Sequence, residues 1–250
     1  MQFPINTHLA GKEISTHLVM EILGIFIGVR YYYYLKKNTK DLISPVDRLK
    51  IFAAVCFGAL IGSRLVGVFE DPNEFFNSEN KFVYIFSNKT IVGGLLGGLI
   101  SVEITKKIIG VTASSGDMMT YPVLLGLMIG RIGCFCEGLA DATIGRATTC
   151  FTGIDFGDHV LRHPLPLYEI AFLFLLWISI RLLEKYQLAD GAKFKMFMIS
   201  YFSYRFMIEF LKEDHFTVFH ISILQLTCIL GLLCYCKTLL NPKKLFLSYA

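Results

Sequence analysis

Seven apolar stretches of nearly 20 residues recur along this chain, at positions 17–35, 50–69, 90–109, 118–137, 165–183, 195–212 and 217–236. A segment of about 20 mostly apolar residues crosses a hydrocarbon layer of about 30 Å, so each stretch has the length of a membrane span. The composition agrees, with 54% hydrophobic residues, only 18% charged and a mean hydropathy of +0.55, well beyond average soluble usage. The expected fold is all-α: a polytopic membrane protein of seven transmembrane helices, with residues 1–250 forming one integral membrane domain. No internal repeat divides the chain, and its longest polar piece, ADATIGRATTCFTGIDFGDHVLRHP, is too short for a separate domain.

Lys and Arg set the expected orientation. They gather in KKNTKDLISPVDRLK, at Lys106 and Lys107, at Arg181, Lys185, Lys193 and Lys195, and at Lys237, Lys243 and Lys244; the alternate loops are poorer in them or balance them with acids. The positive-inside rule then places the N-terminus outside and the C-terminus in the cytoplasm. The net charge of +4 reads as topology, and no nucleic-acid partner is expected. The opening MQFPINTHLAGKEISTH lacks the basic and apolar pattern of a removable signal, so targeting is expected to rest on the first span. Gly93, Gly94, Gly97 and Gly98 in TIVGGLLGGLI invite close approach of another helix or of a lipid tail, packing being the stronger reading. SSGD at 114–117 offers an N-cap to the fourth span, and Pro164 suits the first turn of the fifth.

Charges inside the apolar stretches narrow the function. A helix rises about 1.5 Å per residue, which sets Arg64, Arg131, Arg205, Glu209, Tyr168 and Glu169 in the outer half, with His163 above them. Arg30, Glu103 and Lys106 fall near cytoplasmic ends, where long side chains reach water. An arginine near a helix centre costs about 2.5–3.5 kcal/mol on insertion scales and commonly marks function. Three arginines against two glutamates leave positive charge over. From charge alone the group reads equally as a site for an anionic lipid or substrate and as an internal salt-bridge network. Cys134 and Cys136 project about 200° apart on a helix, so they do not form a metal site, and Cys134 reads as a small buried packing residue.

Four pieces, GGLLGGLI (93–100), GRIGCFCEG (130–138), HPLPLYE (163–169) and YFSYRFMIEFLKED (201–214), resemble in order the prolipoprotein diacylglyceryl transferase family. They cover the chain from about Thr90 to Asp214. The resemblance implies a multi-pass enzyme of the bacterial inner membrane. Such an enzyme moves the diacylglyceryl group of phosphatidylglycerol to the lipobox cysteine of a precursor protein, without metal or organic cofactor. It implies phospholipid contact at Arg131 and Arg205, a functional tyrosine at Tyr201 and an acid, Glu209, one turn beyond Arg205; Glu169, Tyr168 and, from charge and depth alone, Arg64 complete the expected substrate-binding set. His163, the one histidine in a matched motif, is the candidate proton acceptor; a helix-capping or headgroup-level role is its bland alternative. Glu21, Tyr201 and Glu169 are lesser candidates. Family enzymes carry a histidine where this chain has Leu96, an asparagine at Cys134, an acid at Leu139 and aromatic residues around Met20 and Glu21. Those departures keep two other readings open: a non-catalytic phospholipid-binding protein of the same fold, or a transferase with a different acceptor.

Overall fold

The computed structural model describes residues 3–9, 12–37, 39, 42–141, 143–212, 217–218 and 221–246. Ten α-helices are described: α1 (Thr16–Lys37), α2 (Pro45–Glu70), α3 (Pro72–Asn77), α4 (Lys81–Ser87), α5 (Ile91–Ile109), α6 (Asp117–Glu137), α7 (Leu165–Leu183), α8 (Ala192–Ile208), α9 (Ile223–Cys234) and α10 (Cys236–Leu240). Three small antiparallel pairs join them: β1 (Asn6–Leu9) with β2 (Lys12–Ser15), β3 (Ile154–Asp155) with β4 (Leu161–Arg162), and β5 (Thr217–Val218) with β6 (Ile221–Ser222).

A helix lies at each of the seven apolar stretches, but their lengths differ. Four are long and apolar enough to cross a membrane: α1, α2, α6 with its 3-10 extension to Ala140, and α7 with its extension to Tyr186. A fifth arises only if α4 and α5, bent by 86° at their junction, count as one. Glu103, Lys106 and Lys107 occupy the last two turns of α5. The helices at the sixth and seventh places are shorter than a full span, with 17 residues in α8 and 12 in α9. Ser222 starts α9 with a capping box shared with Gln225, five residues beyond the expected start.

The outside is apolar and charges are buried inside beside an apolar core. On α1, Ile22, Ile25 and Phe26 are exposed, and on α2 so are Phe57, Leu60 and Leu65. Arg131, Glu169 and Arg205 are buried instead. In water this would be costly at both surfaces; in lipid it satisfies both.

Small residues bring the helices together. A Cβ added to Gly62 would lie 2.3 Å from the Gly93 carbonyl oxygen, and one on Gly97 would lie 2.3 Å from that of Gly58, so α2 and α5 touch backbone to backbone. Gly94 and Gly98 have ordinary clearance. Across the bundle, α6, α7, α8 and α9 enclose a core of Leu124, Leu173, Phe197, Met198, Tyr201, Phe202 and Cys228, all fully buried.

Two local expectations are corrected. Gly116 sits at the N-cap of α6 with no side-chain cap, and the Asp117 carboxylate instead accepts from Gly191 N at 2.8 Å and Phe194 N at 3.1 Å, so it serves the start of α8. Pro164 is the N-cap residue of α7, and Pro166 occupies its first turn.

Candidate functional site

Three helices each supply one part of a buried charge cluster. Glu169 stands one turn into α7, Arg131 six residues before the end of α6, and Tyr201 and Arg205 one turn apart on α8. The Glu169 carboxylate is the hub. Arg205 Nη1 donates to its Oε2 at 3.0 Å and Tyr201 Oη to its Oε1 at 2.8 Å, while Arg131 Nε lies 2.9 Å from Oε1. The Arg131 contact is one of charge, because its N–H points aside: Nε of Arg131 and Nε of Arg205 are both buried donors without a hydrogen-bond partner.

Glu209 extends the cluster outward. Arg205 Nη2 lies 3.6 Å from its Oε2, and Ser222 Oγ donates to its Oε1 at 3.4 Å. Lys212, buried and paired with Glu70 at the end of α2, lies 3.9 Å from the same Glu209 Oε1. At the centre, two guanidiniums share one carboxylate. With Glu209 also facing Arg205, two carboxylates stand about the two guanidiniums, and what is left over is a pair of buried N–H donors that an anion can engage.

The other candidates lie elsewhere. His163 Nδ1 is 3.1 Å from Tyr168 Oη, which also hydrogen-bonds Thr152 Oγ1. Among the described residues, no hydrogen bond or ion pair joins His163 to the Glu169 hub. The loop that holds it is folded back on the bundle: Gly145 N donates to His163 O, and Arg146 N to Leu211 O, both at 2.9 Å. In the same loop, hydrogen bonds from the Thr152 hydroxyl and backbone hold the Cys150 thiol below its ordinary range. Arg64 stands apart. Its Nη1 donates to Phe86 O at 2.5 Å, and its guanidinium lies 5.6 Å from the Phe86 ring centre, so it pins the turn between α4 and α5. Glu21 is 2.5 Å from Lys89 Nζ, and Leu96 packs against the apolar core.

Two groups near the hub were absent from the expected set. Tyr204, whose hydroxyl is buried without a partner, stacks on Phe172 with ring centres 4.1 Å apart and lies within electrostatic reach of Glu169, Arg205 and Arg131. Its place beside Arg205 in YFSYR was the available signal. Cys134 Sγ lies 3.5 Å from Arg131 Nη1, and its neighbours His17 and Asp141 come from α1 and from the loop after α6. Nothing in the spacing of residues 17, 134 and 141 announces that meeting.

Fold and site together define a multi-pass helical membrane protein with a buried cluster of paired charges and unpartnered N–H donors. Residues 4–240 match the profile of the prolipoprotein diacylglyceryl transferase family, and the chain belongs to that family. It is 30% identical, across 93% of each chain, to a phosphatidylglycerol–prolipoprotein diacylglyceryl transferase of Wolbachia pipientis subsp. Culex pipiens. A protein of the same name from Campylobacter lari is 30% identical, over 83% of this chain and 80% of its own length. Another, from Clostridium tetani, is 29% identical over 84% and 86%.

Proposed function

We propose that this protein transfers the diacylglyceryl group of phosphatidylglycerol to the lipobox cysteine of a precursor protein at the outer face of a bacterial inner membrane. The observation that carries the reading is the pair of buried guanidiniums sharing Glu169, each with a free Nε–H. Seven crossings, with the N-terminus outside and α8 and α9 as shorter members completed by flanking turns, would put this cluster in the outer leaflet; the distribution of Lys and Arg supports that orientation.

The chemistry is a displacement. The acceptor sulfur attacks the glycerol carbon that bears the phosphate, a C–S bond forms, the C–O bond breaks, and glycerol phosphate leaves with the electron pair. Arg131 and Arg205 stabilise the charge growing on the phosphate, in a setting too dry for water to screen it. Glu169 fixes both guanidiniums, Tyr201 holds the carboxylate, and Glu209 holds Arg205 from the other side. Tyr168 and His163 border the entrance; with Nδ1 engaged by Tyr168, the free ring nitrogen of His163 accepts the released proton. Arg64 braces the α4–α5 turn beside the lipid path.

Purified protein given labelled phosphatidylglycerol and a lipobox peptide should form the thioether. Arg131→Lys should depress it, because lysine keeps the charge and loses the planar fork. A second reading has support in Leu96, an apolar core residue with no proton-accepting group of its own: a lipid-binding protein that does not turn over. Intact lipid binding with no transfer at any pH would establish that reading and exclude the first.

A further inference from the structure

Five buried side-chain nitrogen or oxygen atoms lack a hydrogen-bond partner among the described residues, and three of them belong to the cluster about Glu169: Nε of Arg131, Nε of Arg205 and Oη of Tyr204. The other two, Nε of Arg64 and Oη of Tyr121, lie at the α4–α5 turn and at the opposite end of the bundle. Buried polar atoms are nearly always paired, so three unpaired donors about one carboxylate need a common reason. We propose that the Tyr204 hydroxyl donates a third hydrogen bond to the phosphate of the bound lipid, beside the guanidiniums of Arg131 and Arg205. The proposal rests on the reading that this cluster takes a lipid phosphate, and it is independent of turnover.

The position of Tyr204 follows from helix geometry. Successive helical residues are about 100° apart. Tyr201 and Arg205 therefore share the face of α8 turned to Glu169, and Tyr204 stands at its flank, about 60° from Tyr201. From that flank its ring reaches α7. Phe172, three residues beyond Glu169 and on the same side of that helix, stacks on it with ring centres 4.1 Å apart and planes 8° apart. The stack is an apolar contact that a phenylalanine would make equally well, so the hydroxyl is the part of Tyr204 that packing does not use. It lies within electrostatic reach of Glu169, Arg205, Arg131 and Tyr168, groups from α6, α7 and α8, yet donates to none of them.

The acceptors nearby are already engaged. Glu169 Oε1 takes Tyr201 Oη at 2.8 Å and Oε2 takes Arg205 Nη1 at 3.0 Å, while the Tyr168 hydroxyl is shared between Thr152 and His163. Three donors are left without an acceptor. A cation would satisfy none of them. A phosphodiester brings two anionic oxygens, and two guanidinium N–H groups with one hydroxyl fall within their capacity. An unpaired buried donor lowers the stability of the ligand-free protein, and a charged acceptor that engages it turns that deficit into affinity.

The two tyrosines of α8 thus have opposite uses. Tyr201 holds the Glu169 carboxylate and belongs to the frame of the cluster. Tyr204 contributes nothing to the frame through its hydroxyl and meets the ligand instead.

The test is Tyr204→Phe in full-length protein in detergent, titrated with labelled phosphatidylglycerol and followed by thermal unfolding. Without lipid the variant should unfold at the wild-type temperature or above it, because the stack on Phe172 is kept and an unpaired buried hydroxyl is gone. Phosphatidylglycerol should bind at least about tenfold more weakly and raise the unfolding temperature by less than in the wild type. Labelled diacylglycerol, which keeps the tails and lacks the phosphate, should bind both proteins alike. Tyr201→Phe should show the reverse order, a lower unfolding temperature with a smaller loss of affinity. Millimolar inorganic phosphate should not displace the lipid; displacement as complete as that by unlabelled phosphatidylglycerol would assign the donors to free phosphate and overturn the lipid assignment. Wild-type affinity in Tyr204→Phe, with Arg131→Lys weakened, overturns the role of Tyr204 and leaves the guanidinium reading in place. An equal loss for phosphatidylglycerol and diacylglycerol also overturns it, by removing the phosphate from the contact. Wild-type affinity in both Tyr204→Phe and Arg131→Lys removes the proposal and the guanidinium reading together.

Discussion

The helices α6, α7 and α8 carry charges at both ends, and the two ends are built differently. At one end Asp117, Arg181, Glu184 and Lys193 border a cleft of about 300 Å³. Glu184 accepts from Arg181 Nη1 at 2.6 Å and from Lys193 Nζ at 3.0 Å, Asp117 is spent on backbone N–H groups of α8, and the Arg181 side chain is 70% exposed. Acids and bases there are matched, and water reaches them. At the other end Arg131, Glu169 and Arg205 are buried, two cations share one carboxylate, and two N–H donors are idle. The first arrangement ties helices together. The second keeps buried N–H donors that an incoming anion can engage, which separates a site from a brace built of the same residue types.

Equivalent substitutions at the two ends should therefore give unequal effects. The largest is expected for Glu169→Gln. Removing the shared carboxylate leaves Arg131 buried without a counter-charge and Arg205 with Glu209 alone, a loss of about 3–5 kcal/mol, read as a large fall in thermal unfolding temperature in detergent. Bound phosphatidylglycerol should recover part of that fall, because the phosphate replaces the missing anion.

Next comes Arg205→Lys. The side chain keeps its charge but cannot hold Glu169 and Glu209 at once, so phosphatidylglycerol affinity should drop by about 1.5–3 kcal/mol in a titration with labelled lipid. Arg181→Lys at the opposite end should leave affinity unchanged. Tyr201→Phe removes one hydrogen bond to a charged acceptor and should cost about 1.5–3 kcal/mol in stability, while lipid affinity falls less than in Arg205→Lys. The smallest effect is expected for Glu184→Gln, at about 0–1 kcal/mol. If its unfolding temperature fell as far as that of Glu169→Gln, the distinction between the ends would collapse.

How far these ends could be read from the sequence depended on the range of the interactions. Each apolar stretch has a helix at its place, because length and composition are local properties, whereas the short α3, α4 and α10 were not expected. Arg131, Glu169 and Arg205 stood out because an ion in an apolar stretch is costly wherever the chain goes. Their common meeting point followed from similar depth, and the structure brings these three together. Arg64 shared the depth and lies apart, because α2 packs against the glycine face of α5, and depth does not specify azimuth. Asp117 reads locally as a cap for its own helix, but its carboxylate reaches residues 74 and 77 positions onward. Lys212 with Glu70, and His17 with Asp141, are likewise pairs formed by packing. The short α9 departs from its apolar stretch because a capping box at Ser222 starts the helix later than hydropathy alone indicates.

Equilibrium binding of labelled phosphatidylglycerol to purified wild type, Arg131→Lys and Arg181→Lys tests the buried guanidiniums as the phosphate site most directly. Arg131→Lys should bind at least about tenfold more weakly, with Arg181→Lys indistinguishable from wild type and all three proteins unfolding at similar temperatures. Equal affinity in all three would show that the buried guanidiniums brace the bundle and do not hold the lipid phosphate.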